Sequence, residues 1–184
     1  MPSPPNATAN EVLLGPGLLY VAASTVTDPS TTAAVTGSSS WREIGWTEDG
    51  SSFDYELTTA DIMVEEEFDP VKVATTGRKM SVTFQMAQSS RRNLALALNA
   101  GAAAANDSTL LEPPAPGSEV RVKLAFLSEE GALWTFRRVL QSGTVKVARK
   151  KSPNKATIPV TFKCERPSDG SEPFSVKPTS DGLI

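Results

Sequence analysis

Alternation of apolar and polar residues at every second position dominates this sequence and predicts β-strands with one buried face. In the first half of the chain, strands are predicted at residues 18–23, 41–46, 51–57, 60–68 and 71–87. Glu48-Asp49-Gly50 has the residue types of a tight turn and is predicted to separate the second strand from the third. The clearest pattern belongs to the last of these strands, where one face carries Met80, Val82, Phe84 and Met86.

Residues 89–99 interrupt the β pattern with apolar side chains at helical spacing. Ser89 or Ser90 is expected to cap the start of this helix, and Gly101 to end it. The second half of the chain predicts four further strands, at residues 120–126, 132–140, 145–147 and 158–164. The predicted fold is therefore mainly β, an antiparallel β-sandwich or partly open barrel with one short flanking α-helix.

Proline, glycine and serine content divides the chain into a folded body and two arms. Residues 1–10 and 166–184 are rich in these residues and are expected to be extended arms. Residues 11–165 are expected to form a single β-rich domain. Within that domain, residues 24–40 are small and polar and predict a loop, and loops of this length are typically functional or disordered.

Composition excludes most enzyme chemistry. The chain has no histidine and one cysteine, which rules out a Ser-His-Asp triad, a histidine proton shuttle, a thiolate zinc site and an internal disulfide. A net charge of −3 is not that of a basic protein that wraps nucleic acid. No apolar run reaches the length of a transmembrane helix. We therefore expect no enzymatic activity, no cofactor, no metal and no insertion into a membrane.

Two charged clusters invite a functional interpretation. The acidic cluster comprises Asp61, Glu65, Glu66, Glu67 and Asp69. On a strand Glu65 and Glu67 share a face, which favours a solvated or interface surface over a metal or catalytic site. The basic cluster comprises Arg149, Lys150, Lys151 and Lys155. It predicts a solvated hairpin tip or a salt-bridged contact between subunits, with phosphate binding as the less favoured alternative.

The order of several segments resembles a known family. These segments are GPGLLYVA at 15–22, WREIGWTEDG at 41–50, EFDPV at 67–71, MSVTFQMAQ at 80–88, SSRRNLALALN at 89–99, WTFRRV at 134–139 and IPVTFKC at 158–164. Together they resemble the major tail tube protein of bacteriophages with long non-contractile tails (siphovirus type), particularly phages of actinobacterial hosts. The resemblance covers most of residues 15–165.

This resemblance implies a structural subunit of the virion tail, six copies of which close into a ring. Rings stack into the tube through which viral DNA passes, and hairpins from each subunit join edge to edge as an inner barrel. The implied partners are further copies of the chain, the tape measure protein, tail-end proteins, and DNA that passes without specific binding. Assembly is expected in the host cytoplasm. A monomeric β-sandwich module that binds a receptor or glycan is the alternative.

The tail-tube interpretation predicts roles for specific residues. Either Asp54 and Glu56 or Glu65 and Glu67 are expected to line the lumen, where they would repel DNA phosphate, although an outer solvated face is equally compatible with strand parity. The basic cluster is expected at a contact between subunits. The loop at residues 24–40 is expected to contact the next ring. The strands on either side of it, predicted at 18–23 and 41–46, are expected to fold without it. Its candidate residues are Val26, Thr27, Asp28, Thr31, Thr32 and Val35.

Overall fold

The structure is a computed structural model that describes residues 17–65, 68–102, 110–147 and 156–179. Within these ranges the chain forms eight β-strands and two short α-helices. The strands are β1 (Gly17–Ala23), β2 (Arg42–Glu43), β3 (Thr47–Ile62), β4 (Lys72–Met86), β5 (Val122–Ser128), β6 (Leu133–Gln141), β7 (Ile158–Cys164) and β8 (Phe174–Lys177). The helices are α1 (Ala33–Thr36) and α2 (Arg91–Ala97), and no helix in the described ranges is both long and apolar enough to cross a membrane.

All of the strands belong to one antiparallel sheet, with the order β2-β1-β5-β6-β7-β4-β3. The eighth strand, β8, pairs with the first half of β6, from Leu133 to Phe136. The second half of β6, from Val139 to Gln141, pairs with β7 instead. The prediction of a mainly β, antiparallel fold with few helices is therefore confirmed.

The sheet curls around one main hydrophobic core. Leu19 from β1, Leu124 from the neighbouring β5 and Phe84 from β4 are buried in the same cluster, although β4 lies far from β1 and β5 in the strand order. Phe84 stacks on Phe162 of β7, with the ring centroids 5.7 Å apart. The apolar face of α2 packs on this core through Leu96. Curling lets one face of the sheet bury its side chains without a second sheet.

A smaller cluster lies on the opposite face of β1, β5 and β6. It contains Tyr20, Ala125 and Leu133, and it is covered by Val35 of α1 and by Trp41. The loop between β1 and β2 therefore carries a short helix whose one buried residue closes this cluster. This packing differs from the sequence-based expectation, in which residues 24–40 had no core residue.

The segment from Glu48 to Gly50 is a bulge inside β3 and not the predicted turn between strands. Glu48 pairs with Gln85 and Ser51 pairs with Phe84, so Asp49 and Gly50 are extra residues on the β3 side. Both adopt positive φ, 58° at Asp49 and 75° at Gly50, as a bulge of this kind requires. The strands predicted at 51–57 and 60–68 are one continuous strand that ends at Ile62.

Two further expectations are corrected. Residues 145–147 do not form the predicted strand: the pairing of β6 with β7 ends at Gln141 and Phe162, and the chain continues after Gln141 without regular strand pairing. Within the expected C-terminal arm, residues 174–177 form β8 and add to the sheet. The expected N-terminal arm, residues 1–10, lies outside the described residues, as do residues 180–184.

Candidate functional site

The β3–β4 hairpin extends well beyond the rest of the sheet. The neighbouring strand β7 pairs with β4 only from Ser81 to Met86. From Tyr55 and Met80 outward, β3 and β4 pair with no further strand among the described residues. We call residues 54–65 and 68–79 the distal hairpin. The paired part up to Ile62 and Lys72 is roughly 25–30 Å long at about 3.3 Å per residue.

The distal hairpin exposes many large apolar side chains. Leu57 is 50% exposed and Val73 is 57% exposed. The other exposed apolar residues of the distal hairpin are Tyr55, Ile62, Met63, Val64, Phe68 and Val71. Apolar patches of this kind on a protein surface mark sites of interaction with another molecule. The sequence predicted these residues as strand positions, but their exposure follows from the lack of a covering layer.

The outer edge of β3 has no strand partner among the described residues, although the bulge at Asp49 and Gly50 interrupts its first part. β3 lies at one end of the strand order and spans 16 residues, from Thr47 to Ile62. It contains neither proline nor lysine, the residues that commonly protect a free edge from pairing with another chain. A long edge of this kind can accept a strand from a second molecule through backbone hydrogen bonds.

The base of the hairpin is fixed to the core by aromatic contacts. The ring of Phe53 lies 5.7 Å from that of Trp134 and 5.0 Å from that of Phe174, measured between centroids. Phe53 pairs across the strands with Val82, which is buried. The hairpin therefore projects from a packed base. Trp46, the last residue of the strand predicted at 41–46, is 76% exposed just before β3.

The other face of the hairpin is polar. Asp54 pairs with Ser81, and Glu56 pairs with Lys79, whose Nζ lies 3.6 Å from the Glu56 carboxylate. The polar face continues onto β7, where Lys163 pairs with Ser81. Asp54 and Glu56 therefore share one face, and the two lysines on that face balance their charge.

The second acidic pair does not follow the strand parity assumed for it. β3 ends at Ile62, so Glu65 lies in the connection to β4, where it is exposed. Glu67 lies outside the described residues. Among the described residues no group of three or more acidic or cysteine side chains is placed to hold a metal ion. Cys164 packs against the core, and burial raises the pKa of its thiol to about 12.

The loop between β1 and β2 is fastened to the sheet by an ion-pair cluster. Asp28 accepts hydrogen bonds from Lys123 Nζ, at 2.5 Å, and from Arg137 Nε. Burial by itself would raise the pKa of Asp28, but the hydrogen bonds and charges of these two cations outweigh it and hold the pKa below its ordinary value. The loop is therefore tied to both β5 and β6.

The six predicted loop residues fall into two groups. Val35 is buried, Val26 packs beside it against the smaller cluster, and Asp28 holds the ion pairs, so these three stabilise the subunit itself. Thr27, Thr31 and Thr32 are exposed. The loop contributes to the packing of the subunit, whereas the sequence indicated that the flanking strands would fold without it.

The predicted basic turn cannot be placed on this surface, because Arg149, Lys150, Lys151 and Lys155 all lie outside the described residues. Its role at a contact between subunits stays a prediction.

The sequence also singled out no role for Arg42 and Arg92, which the fold brings together beside α2.

Comparison with protein families gives one match over most of the chain. The model of a family described as "Phage tail tube protein" matches residues 5–169. No curated protein matches the chain.

Among solved structures, a chain from "Tail of empty GTA particle computed with helical refinement, C6 symmetry" is 10% identical, with a TM-score of 0.48. That match covers 87% of this chain and 95% of the other. A chain from "Cryo-EM structure of the anti-feeding prophage (AFP) baseplate, 6-fold symmetrised" is also 10% identical, with a TM-score of 0.45. It covers 96% of this chain and 97% of the other.

Proposed function

The chain belongs to the phage tail tube protein family and is a structural component of the virion tail, and on that premise we propose that its copies join through the distal hairpin. Six copies close a ring, and the rings stack into the tube that conducts DNA into the host. The contact is head to tail, because the free edge of β3 on one copy meets a different surface on the next.

The observation that carries this proposal is the combination of a free strand edge with an exposed apolar surface on one hairpin. An isolated subunit leaves both in water, which favours association and also aggregation. A ring satisfies the edge through backbone hydrogen bonds and covers side chains such as Leu57 and Val73. A subunit built for solitary function would be expected to protect this edge.

The polar face of the hairpin is the proposed lining of the lumen. Asp54 and Glu56 would face the DNA together with Lys79, Ser81 and Lys163. Near the base of the hairpin, two acidic and two basic side chains leave this face without a strong net charge, so phosphate groups gain little by staying bound. This arrangement suits a channel that must release its cargo.

The exposed threonines of the β1–β2 loop are the proposed contact between stacked rings. Thr27, Thr31 and Thr32 lie on the surface, while Asp28 and Val35 hold the loop to its own subunit. Fixing the loop in this way limits the entropy lost when it meets a neighbour. We expect Thr32→Arg to shorten the tubes without unfolding the subunit.

The remaining parts of the proposal concern partners and chemistry. The tape measure protein and tail-end proteins would contact the tube during assembly in the host cytoplasm. We further propose that the protein has no enzymatic activity, which is supported by the absence of histidine from the chain and by the raised pKa of Cys164. We also propose that the virion is of the siphovirus type and that its host is an actinobacterium.

The proposal is tested by replacing two exposed residues of the distal hairpin, Leu57→Asp and Val73→Lys, in one variant. Leu57 pairs with Arg78 and Val73 pairs with Asp61, so each new charge lies opposite its counter-charge and the hairpin stays compatible with both. Leu110→Asp, at a residue that is 78% exposed and far from the hairpin in sequence, is the matched control.

Sedimentation velocity and negative-stain microscopy measure assembly, and circular dichroism measures the fold. We expect rings or tubes from the wild type and the control, and folded monomers from the hairpin variant. A wild-type chain that stays monomeric at high concentration would support the receptor- or glycan-binding module instead. Normal tubes from the hairpin variant would show that the distal hairpin is not the assembly surface.

A further inference from the structure

Two arginine side chains meet where β2 lies against α2. The Arg42 guanidinium donates from Nη1 to Asn93 Oδ1 at 3.0 Å and from Nη2 to the backbone oxygen of Arg92 at 3.5 Å. Asn93 is itself fully buried and donates from Nδ2 to the backbone oxygens of Ile44 and Gln88, both at 3.0 Å. This network fixes Arg42 beneath the first turn of α2 and beside Arg92.

The two arginines carry positive charge that the subunit does not fully compensate. The Nε atoms of Arg42 and Arg92 are both buried, and neither has a hydrogen-bond acceptor among the residues that the structure describes. Burial and the neighbouring charge of Arg92 lower the pKa of Arg42 to about 10. A buried donor without an acceptor is costly, and a second cation beside it adds repulsion. A carboxylate from outside the subunit that binds the terminal nitrogens of these side chains would offset the repulsion between the two cations.

Carboxylates of the required kind lie on the distal hairpin. Asp61 near the end of β3 and Glu65 just after it are both exposed. Among the residues that the structure describes, neither carboxylate has a hydrogen bond or an ion pair. The sequence continues the acidic run with Glu66 and Glu67. The chain therefore has exposed carboxylates at the tip of the distal hairpin and, among the described residues, two arginines without a carboxylate partner beside α2.

These two groups are too far apart to pair within one chain. The first residues of β3 lie beside the arginines, since Ala87 just before α2 donates to Trp46 at 2.8 Å and Asn93 donates to Ile44. β3 then runs for 16 residues, which is roughly 50 Å of extended strand, before it ends near Asp61. The carboxylates can reach an arginine pair only on another copy.

We propose that the Arg42–Arg92 pair is the receptor for the Asp61 and Glu65 carboxylates at the hairpin tip of a second copy of this chain. This inference rests on the proposed tube assembly. It adds a polar contact to the apolar contact that the distal hairpin is proposed to make. Guanidinium groups bind carboxylates through two parallel hydrogen bonds, so the contact also sets the register between copies.

The experiment exchanges the charges between the two surfaces. Arg92→Glu is used in place of a change at Arg42, because Arg42 also holds Asn93 and α2. One variant carries Arg92→Glu, a second carries Asp61→Lys and Glu65→Lys, and a third carries all three changes. Arg166→Glu, at an exposed residue of the C-terminal segment, is the matched control. Circular dichroism checks each fold, and Arg92→Gln replaces Arg92→Glu where the melting temperature falls.

We expect each partial variant to need roughly tenfold more protein than the wild type to assemble in sedimentation velocity, as for the loss of a close charge pair. We expect the triple variant to recover most of this loss, and an equal mixture of the two partial variants to assemble better than either alone, because alternating copies place opposite charges at each head-to-tail contact. The control should assemble as the wild type does.

Three results would overturn the proposal. The first is a triple variant that assembles no better than its parents. The second is recovery of Arg92→Glu by Glu129→Lys and Glu130→Lys, which would assign the partner acids to the β5–β6 turn. The third is normal assembly of Arg92→Glu together with altered DNA retention in the tubes, which would indicate phosphate binding. If the wild type forms tubes and any of these results is obtained, the proposed function still holds. If the wild type never assembles, both the proposed function and this inference are overturned.

Discussion

Asp28 accepts a hydrogen bond from Lys123 Nζ at 2.5 Å, although the two residues are 95 positions apart in sequence. The Lys123 side chain is only 12% exposed and that of Arg137, the second partner of Asp28, is 19% exposed. The loop between β1 and β2 is therefore held by a carboxylate that faces two largely buried cations. This contact is the link between a surface loop and the stability of the subunit.

Asp28→Asn is expected to lower the free energy of unfolding by about 1–3 kcal/mol, because both cations lose their charged acceptor. Urea denaturation followed by circular dichroism measures the effect. Asp61→Asn, on the exposed distal hairpin, is the control and should change the stability of the subunit by less than about 0.5 kcal/mol. A similarly small change for Asp28→Asn would show that the ion pairs do not hold the loop.

The same ion pairs predict a dependence of stability on pH. The pKa of Asp28 is lowered in the folded state, against an unfolded value of about 3.9. Its contribution is therefore complete above the unfolded pKa and is lost as the pH falls through the lower, folded pKa. The difference in melting temperature between wild type and Asp28→Asn should be constant from neutral pH to about pH 5 and should shrink below about pH 4. A difference that persists unchanged to about pH 2 would contradict this assignment.

Val35 is expected to matter for folding and Thr32 is not. Val35→Ala leaves a cavity over Tyr20 and Trp41 and should lower the free energy of unfolding by about 1–3 kcal/mol. Thr32→Ala, three positions earlier on the exposed surface, should stay within about 0.5 kcal/mol of the wild type. Equal effects of the two substitutions in thermal unfolding would argue against a packing role for α1.

Asp54 and Glu56 provide the test of the lumen. Asp54→Lys with Glu56→Lys would turn a face with two acids and two lysines into one with four lysines, which should retain DNA. We expect assembly to survive and DNA ejection from the virion to slow, with loss of infectivity. Glu129→Lys with Glu130→Lys, at the exposed β5–β6 turn, is the charge-matched control. Unchanged infectivity of the Asp54 and Glu56 variant would place this face outside the tube.

Proline at Thr83 would not test the free edge of β3. Thr83 lies inside the sheet, where it pairs with Ser52 on one side and Thr161 on the other. Proline there would remove a hydrogen bond inside the sheet and damage the subunit itself. Charges on exposed hairpin residues therefore separate assembly from folding, which proline at this position cannot do.

The sequence by itself determined the features that depend on near neighbours. Period-two alternation was enough for β4 and β7. Ser89 or Ser90 was predicted as the helix cap, and the bond from Asn93 N to Ser90 Oγ at 3.3 Å identifies it as Ser90. Gly131, with φ of 98°, marked the turn between β5 and β6. Parity also placed Asp54 and Glu56 on one face.

Only the tertiary structure decided which faces are covered. Alternation assigns Tyr55 and Leu57 to the same face as Phe53, which packs against the core, but it cannot say that the sheet ends beside them and leaves them exposed. The bulge at Asp49 and Gly50 likewise depends on the register with β4, a separate strand. Local periodicity records the direction of each side chain, whereas burial and ion pairing depend on partners brought in from distant parts of the chain.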